Sequence, residues 1–372
     1  DTLETELAQR LVYCEEFEDE LEVLRRFKHE EILRIGVSQL RGDIDSPTSR
    51  WLVTELAEVC LSAAVEIAKK EMARKFGSFE FFDSLPLLIL GMGKLGGMEM
   101  TYLSDLDVIF IYDPPVAQVG RFSAHEWFTR LANRIISILS VPTAEGTVFE
   151  IDTRLRPSGN KGPLVSSITA FRDYHQTASE LWEKQALIRA RPVVGPAELR
   201  DEVKRIVQEC ILHTEFTDEV IAEIVRLRKR MENEIALEDA QHVDLKTGRG
   251  GLVDVEFLVQ GHVLKYAREH PAVLCTNTLE TLAVLREENL LPEGWFHSLD
   301  SGYRFLISLE DRLRIMEHRS VDRLPVSGDK LRGLARRLGY GDQGEDLLIS
   351  DYRKVTEGIR KIYNTFFGTD RS

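Results

Sequence analysis

The sequence has little positive charge for its length. Its 372 residues contain 48 Lys and Arg against 62 Asp and Glu, which gives a formal net charge of -14. Proteins that bind nucleic acid without sequence preference neutralise phosphates mainly with Lys and Arg. The composition therefore argues against a general nucleic-acid binder, and we expect no nucleic-acid partner.

Cysteine is also scarce. The four cysteines stand far apart, at Cys14, Cys60, Cys210 and Cys275. No two of them form a CxxC pair or a Cys/His pattern, so neither a disulfide framework nor a zinc site is predicted. A reducing compartment suits such a chain, and we expect the cytoplasm.

Long apolar runs are missing as well. A membrane-spanning helix needs roughly 20 apolar residues, whereas the apolar runs here are as short as a strand. The first 30 residues carry an acidic cluster where a signal peptide would need a basic start and an apolar core. We therefore expect no membrane association. Because the chain begins with Asp1 rather than Met, we also expect it to be a piece of a longer protein.

The hydrophobic pattern changes twice along the chain. Residues 1–77 and 195–372 show helical spacing, whereas residues 78–194 contain short apolar runs bounded by glycines. The sequence predicts an α+β fold, with a sheet domain flanked by helical segments and followed by a helical bundle. We expect one domain in each of these three ranges.

Several element positions follow from this pattern. We expect strands at 85–90, 106–112 and 147–151 with a helix at 124–139, and later helices at 202–213, 218–234, 252–268, 279–288, 296–316 and 347–367. In the first segment, the predicted buried helix face comprises Leu24, Phe27, Ile32, Leu33, Ile35 and Gly36. A helix start is predicted with Ser46 as the N-cap and Pro47 at the first helical position.

An alternating acidic pair is the most informative chemical feature. Asp105 and Asp107 bracket Leu106 at the start of a predicted strand, so both carboxylates point to one face while Leu106 points into the core. Mg²⁺ typically binds one or two carboxylates together with substrate phosphates. The pair is therefore a predicted seat for a divalent cation.

A third carboxylate lies on a later predicted strand. Strand alternation places Glu150, Asp152 and Arg154 on one face. Asp152 is the natural third ligand of a two-metal site, where it could also help to deprotonate the attacking group. With Asp105 and Asp107, it completes the predicted catalytic and metal-binding set.

A glycine-rich turn precedes the acidic pair. In the string GMGKLGG, residues 91–97, Gly96 and Gly97 lack side chains, so their backbone could approach a triphosphate while Lys94 supplies positive charge. Either motif alone is a common turn or strand end. Their order, spacing and third aspartate together favour a nucleotide site.

A second glycine loop, residues 244–251, leads into a predicted helix. Helix amino-termini attract anions, so Lys246 and this loop are candidate phosphate contacts. The alternative is that Asp254 and Glu256 only complement the helix dipole, which physical reasoning alone slightly favours. We therefore regard Lys246, Asp254 and Glu256 as possible contacts of the nucleotide site.

These motifs resemble the nucleotidyltransferase superfamily that includes DNA polymerase beta. The match is narrower over longer strings, because GMGKLGG, YLSDLDVIFIYD, FEIDTRLRPSGNKGPLVSS, LWEKQALIRARPV and DLKTGRGGLVDVEFLVQ resemble the bacterial glutamine synthetase adenylyltransferase family. The resemblance runs from about residue 20 to the end. It implies a polymerase beta-like nucleotidyltransferase domain at 78–194.

The resemblance also implies an activity and partners. Enzymes of that family have two similar halves, one that attaches AMP to a tyrosine of glutamine synthetase and one that removes it by phosphorolysis. This chain has room for one half, and its strings at 156–160 and 182–186 look more like the carboxy-terminal, adenylylating half. Implied are ATP as substrate, Mg²⁺ or Mn²⁺ as cofactor, and glutamine and the PII signalling protein as regulators.

Residue roles follow from the same resemblance. Asp105, Asp107 and Asp152 would be the metal ligands, and Gly96 with Gly97 would form the nucleotide turn beside Lys94 and Ser104. For Arg154 and Arg156, nucleotide contact and pairing with a structural carboxylate both remain open.

Two other functions are weighed against AMP transfer. The removing half would use the same ligands, so only the resemblance separates the two directions. A non-catalytic nucleotide-binding module would be expected to lose a carboxylate, and all three are present here.

Overall fold

The computed structural model of the chain describes residues 2–77, 86–113, 117–119, 121–236, 238–317 and 322–369. The described chain divides into two compact units, one ending at Cys210 and the next beginning at Ile211. The first unit contains a sheet among helices, and the second is mainly helical. The predicted α+β class is confirmed, whereas domain boundaries at residues 77 and 194 stay predictions.

The first unit alternates helices with short strands. Its helices are α1 Leu3–Val12, α2 Phe17–Arg41, α3 Ser46–Phe76, α4 Gly93–Gly96, α5 Ala124–Ser140, α6 Ile168–Thr177, α7 Leu181–Leu187 and α8 Ala197–Leu212, the last of which continues two residues past Cys210. Its strands are β1 Leu87–Gly91, β2 Leu106–Tyr112, β3 Gln118–Val119, β4 Phe122–Ser123, β5 Ile151–Asp152, β6 Val165–Ser167 and β7 Arg191–Val194.

A five-stranded mixed sheet forms the centre of this unit. Strand β1 pairs antiparallel with β2 on one side and with β7 on the other, and β2 also pairs parallel with β5 and β6. Strand β2 is a run of β-branched and aromatic residues, and Ile109, Phe110 and Ile111 are at most 1% exposed. This buried strand fixes the position of the acidic residues at its start.

Helix α5 packs on this sheet and on α3. A capping box joins Ser123 and Glu126 at its start, and Trp127, Leu131 and Ile135, which recur every four residues, are buried. The helix predicted at 124–139 is confirmed.

Three expectations in this unit were wrong. Residues 147–150 do not form a strand, because only Ile151–Asp152 pairs with β2. The N-cap of α3 is Asp45 rather than Ser46, since the Asp45 side chain accepts the amide of Thr48 at 2.9 Å. Leu33 is 67% exposed, whereas the rest of its predicted face is buried or half-buried. Residue 85 of the first predicted strand lies outside the described residues.

The second unit is helical except for a two-stranded ribbon. Its helices are α9 Asp218–Glu234, α10 Leu252–Tyr266, α11 Thr278–Glu287, α12 Glu293–Glu317, α13 Asp329–Arg337 and α14 Glu345–Phe367, and the ribbon joins β8 His242–Asp244 to β9 Arg323–Pro325. Helix α10 packs against α11, α12 and α14. Each predicted helix from residue 202 onwards is present, with ends shifted by a few residues. In the part of the chain that the structure describes, no helix is both long and apolar enough to cross a membrane.

Candidate nucleotidyltransferase site

The acidic pair lies where β2 begins. Leu106 and Val108 are completely buried, whereas Asp105 is exposed and Asp107 is half-buried. This burial pattern is the alternation that the sequence predicted for a strand with one core face. Because β2 starts at Leu106, Asp105 stands one residue before the strand and Asp107 is its second residue.

Strand β5 brings the third aspartate beside the pair. Asp107 and Asp152 are Cα partners in the parallel pairing of β2 with β5, and the amide of Leu106 donates to the carbonyl of Glu150 at 2.9 Å. Neighbouring strands lie about 4.8 Å apart, and paired residues project to the same face. The fold therefore brings together two aspartates that are 45 positions apart in sequence.

Arg154 donates hydrogen bonds to both carboxylate oxygens of Asp152. The Arg154 amide donates to Asp152 Oδ1 at 2.8 Å, and its Nε donates to Oδ1 at 3.0 Å and Oδ2 at 2.8 Å. Arg154 does not continue the strand as predicted, because the chain turns after Asp152 and folds the guanidinium back. This hydrogen bonding lowers the pKa of the Asp152 carboxyl, with burial opposing the shift.

All three aspartates act on Arg154. The pKa of this guanidinium is raised first by its hydrogen bond to Asp152, and the negative charges of Asp107 and Asp105 add to the effect. The negative charges of all three carboxylates therefore stabilise this guanidinium. Among the described residues, however, no group of three His, Cys, Asp or Glu side chains is arranged to hold a metal ion. The donor chemistry fits Mg²⁺ as a two-carboxylate seat that substrate phosphates would complete, rather than as a preformed three-ligand cage.

Gly93 is a site residue that sequence reasoning missed. It has φ +51°, and a Cβ built there would lie 2.6 Å from Asp107 Oδ2. The next residue back, Met92, donates its amide to the carbonyl of Asp107 at 2.8 Å. Gly93 thus lets the turn of α4 pass directly over the Asp107 carboxylate. The available signal was its place as the first glycine after the strand residue Gly91.

Gly96 and Gly97 have a different surrounding from the one predicted. A Cβ on Gly96 would lie 1.7 Å from the carbonyl oxygen of Arg189, and a Cβ on Gly97 would lie 2.5 Å from the Arg189 guanidinium. Arg189 is buried and paired with Glu99. The amides of Gly96 and Gly97 already donate to Met92 and Gly93 within the α4 turn. Close approach to Arg189 therefore explains both glycines.

The other predicted nucleotide contacts surround the same strand ends. Lys94 is half-buried in the α4 turn, and Ser104 Oγ accepts the amide of Thr101 at 3.0 Å in the turn before β2. Arg156 donates to the carbonyl of Thr153 at 2.8 Å and to that of Pro163 at 3.1 Å. Arg156 thus closes its own loop. Nucleotide contact by these residues stays a prediction.

The second glycine loop lies in the second unit, where buried side chains hold it in place. Asp254 is fully buried, pairs with Arg228 and Arg360, and accepts the amide of Gly250 at 2.6 Å. Arg228 also donates to the carbonyl of Gly248 at 2.7 Å. Asp254 therefore holds the loop through buried ion pairs, which is more than a complement to the helix dipole.

Few amides in this loop are left for an anion. Those of Lys246 and Thr247 donate to Asp244 Oδ1, and those of Leu252 and Val253 donate to carbonyls of the loop. A phosphate contact at this helix amino-terminus would therefore depend mainly on the Lys246 side chain, and it stays a prediction. The side chains of Lys246 and Glu256 are both half-buried.

Comparison with known proteins agrees with the geometry of the first unit. The family model described as glutamate-ammonia ligase adenylyltransferase matches residues 1–206. A second model, described as GlnD PII-uridylyltransferase, matches residues 218–367. The two matched ranges fall in the two units.

Curated relatives point the same way. The chain is 32% identical over 329 residues to a protein of Hahella chejuensis, which covers 84% of this chain and 34% of that protein. It is 37% identical over 246 residues to a protein of Xanthomonas campestris, which covers 65% of this chain and 26% of that protein. Both are named bifunctional glutamine synthetase adenylyltransferase/adenylyl-removing enzyme.

The chain spans about a quarter to a third of the length of these relatives. The model matched over residues 1–206 covers more than half of the chain and contains the glycine turn, the acidic pair and Asp152. The chain belongs to the glutamate-ammonia ligase adenylyltransferase family.

Proposed function

We propose that this chain transfers AMP from ATP to a tyrosine of glutamine synthetase, the enzyme also called glutamate-ammonia ligase. The observation that carries the proposal is the pairing of Asp107 with Asp152 across β2 and β5, with Asp105 adjacent, in a member of this family. An arrangement of carboxylates on one sheet face suits transfer of a phosphoryl-linked group.

Asp105, Asp107 and Asp152 would hold Mg²⁺ or Mn²⁺ in this proposal. When bound, two such cations would activate the attacking oxygen and neutralise the departing pyrophosphate. Both ions suit carboxylate oxygens. The support from the structure is the strand pairing that places Asp107 beside Asp152, with Asp105 two residues before Asp107.

Asp152 would also help to remove the phenolic proton of the target tyrosine. In the described state Arg154 lowers the pKa of this carboxyl, which makes it a weak base. Release of the guanidinium would remove this effect. A divalent cation on the same carboxylate would also lower its pKa, so the proton would pass to the oxygen of Asp152 that no cation holds. Arg154, once released, could contact the triphosphate, which would join the two roles left open for it.

The nucleotide would lie along the turn before β2. Lys94 and Ser104 are the proposed contacts, and Gly96 and Gly97 form the turn that carries Lys94. Arg156 would contribute by holding the loop that follows Asp152.

Incubation of the purified chain with labelled ATP, Mg²⁺ and glutamine synthetase tests the proposal. Label on glutamine synthetase supports it, and a control with the Asp107→Asn variant should give none. Absence of label with every metal tested would contradict AMP transfer by this chain.

The reverse reaction is the second candidate, because the relatives are named for both adding and removing AMP. Adenylylated glutamine synthetase supplied with inorganic phosphate tests it. Release of ADP without transfer in the forward assay would assign the chain to the removing half.

Regulation belongs to the same proposal. PII and glutamine would act on the longer protein of which this chain matches about a quarter to a third, and the setting would be the cytoplasm. Adding each to the transfer assay with the long protein and with this chain would show which part responds.

A further inference from the structure

A cavity of about 580 Å³ lies in the second unit. Its walls come from the end of α10, the segment that joins α11 to α12, and the end of α14. Pockets that hold small ligands usually measure about 300–1,000 Å³. None of the residues that line this cavity has a role in the site described above.

Two cationic side chains flank the cavity. Lys265 and Arg286 are exposed, and within the described ranges neither has a carboxylate at ion-pair distance. Each lies instead over an aromatic ring, Lys265 at 4.9 Å from the centre of Tyr266 and Arg286 at 4.5 Å from that of Phe296. The acidic residue among those that line the cavity, Glu293, lies 3.0 Å from His297 Nε2. In a chain with net charge -14, two cations against this one carboxylate favour an anionic ligand.

A buried histidine supplies an acceptor. His262 is 2% exposed, and its Nδ1 lies 2.7 Å from the carbonyl of Leu258. That contact places the proton on Nδ1 and leaves Nε2 as an acceptor. Burial lowers the pKa of His262 to about 4, so the ring is neutral near pH 7. Its face stacks on Phe366, with ring centres 4.0 Å apart.

We propose that this cavity binds a purine nucleotide. The phosphate would lie between Lys265 and Arg286, the base would pack on the aromatic side chains Tyr266, Trp295 and Phe366, and an exocyclic amine would donate to His262 Nε2. A free amino acid would fill only a small part of this volume and would use few of the aromatic faces. The proposal does not depend on the AMP-transfer function.

Binding of AMP to the chain in EDTA tests the proposal, because removal of divalent cations disables the proposed metal site of the first unit. Calorimetry and quenching of tryptophan fluorescence would report binding. Lys265→Met and Arg286→Gln should each weaken AMP binding about tenfold, since each removes a charged hydrogen-bond donor. Lys330→Met is the matched control, because Lys330 is an exposed lysine of the same unit that pairs with Glu317.

Two further ligands test the base and the phosphate separately. Purine riboside 5′-monophosphate lacks the amine and should bind several-fold more weakly than AMP, without any change to the protein. Inorganic phosphate should bind much more weakly than either. Phosphate that binds as tightly as AMP would reduce the cavity to an anion site and overturn the proposal. AMP affinity that is undetectable, or unaffected by Lys265→Met and Arg286→Gln, would also overturn it.

Discussion

At the residue scale, Arg154 and a metal ion would compete for the same oxygens. Arg154 contacts both oxygens of Asp152, yet its side chain is 72% exposed, so the pair contributes only about 0.2–1 kcal/mol. A guanidinium bound this weakly can be displaced by a divalent cation.

Arg154→Ala should therefore tighten Mn²⁺ binding about two- to fivefold, since the cation no longer displaces an internal partner. Titration of Mn²⁺ by electron paramagnetic resonance measures this without substrate. Arg154→Lys, which keeps the charge but loses the two-pronged contact, should give an intermediate affinity. Mn²⁺ affinity that is unchanged in Arg154→Ala would separate Arg154 from the metal site.

Asp107→Asn should lower AMP transfer at least about a hundredfold, because it removes a charged ligand from the centre of the acidic cluster. Glu150→Gln is the matched control, since Glu150 is exposed and lies two residues before Asp152. Thermal unfolding should change little in either variant. Transfer within a few fold of the parent in Asp107→Asn would contradict the metal assignment.

The surroundings of the glycine turn predict that alanine substitutions at Gly96 and Gly97 differ in their effect on stability. Gly96→Ala should destabilise the first unit by more than Gly97→Ala, because its Cβ meets a backbone carbonyl whereas that of Gly97 meets a side chain that can shift. We expect about 1–3 kcal/mol for Gly96→Ala in urea unfolding. Gly36→Ala is the control, since its Cβ would make an ordinary contact at 3.8 Å inside α2. Equal stabilities of the three variants would refute this interpretation.

At the element scale, we expect substitutions in and after the loop before α10 to affect either stability or activity, depending on the residue. Asp254→Asn should destabilise the second unit by about 3–5 kcal/mol, because the change leaves buried Arg228 with only the more distant carboxylate of Glu232, at 3.8 Å. Lys246→Ala and Glu256→Ala should instead lower AMP transfer with little change in Tm. A rise in KM alone would indicate contact with the protein substrate, and a fall in kcat would indicate contact in the transition state. Parental kinetics in both would exclude this loop from the reaction.

Element identity could be predicted better than element pairing. Strand β2 and helix α5 are visible in sequence, because burial on one face imposes a period of two or 3.6 residues. The stretch before Asp152 was mistaken for a strand, since its alternation does not reveal whether a partner strand is available. The pairing of Asp107 with Asp152 depends on a register that no local pattern encodes.

At the scale of the whole molecule, two buried histidines link stability to pH. Burial lowers the pKa values of His175 and His262 to about 4, and the ring nitrogens of His175 have no hydrogen-bond partner among the described residues. Below about pH 6.5 each of these histidines is protonated in the unfolded chain, whereas it stays neutral in the folded chain until the pH approaches 4. The contribution of these histidines to the free energy of unfolding is therefore fully present above about pH 6.5. It is lost as the pH falls towards 4, by about 3 kcal/mol for each histidine.

His175→Phe should reduce this acid sensitivity, because it keeps an aromatic ring in the core and removes the titrating group. Urea unfolding of the first unit at pH 7 and pH 4.5 measures the difference. His297→Gln, a change at an exposed histidine, should leave the acid sensitivity in place. An undiminished loss of stability in His175→Phe would contradict the assignment.

Across the whole chain, the parts of the candidate site that could be predicted are those that a short sequence motif contains. Asp105, Asp107 and Asp152 could be proposed from the sequence because aspartates recur beside strand patterns, and their role as metal ligands stays a prediction. The partners of the glycines could not, since Arg189 lies 92 positions after Gly97 in the sequence. Such contacts arise from tertiary packing, and they changed the explanation of both glycines.

The contact between Arg154 and Asp152 also bears on the order in which ligands arrive. With the guanidinium in place, the acidic cluster contains its own counterion, so its net charge is about two negative charges instead of three. A triphosphate that approaches without a metal ion meets correspondingly less repulsion. If the proposed function is correct, we therefore expect nucleotide and metal to bind together as one complex, with Arg154 displaced from Asp152 when they bind.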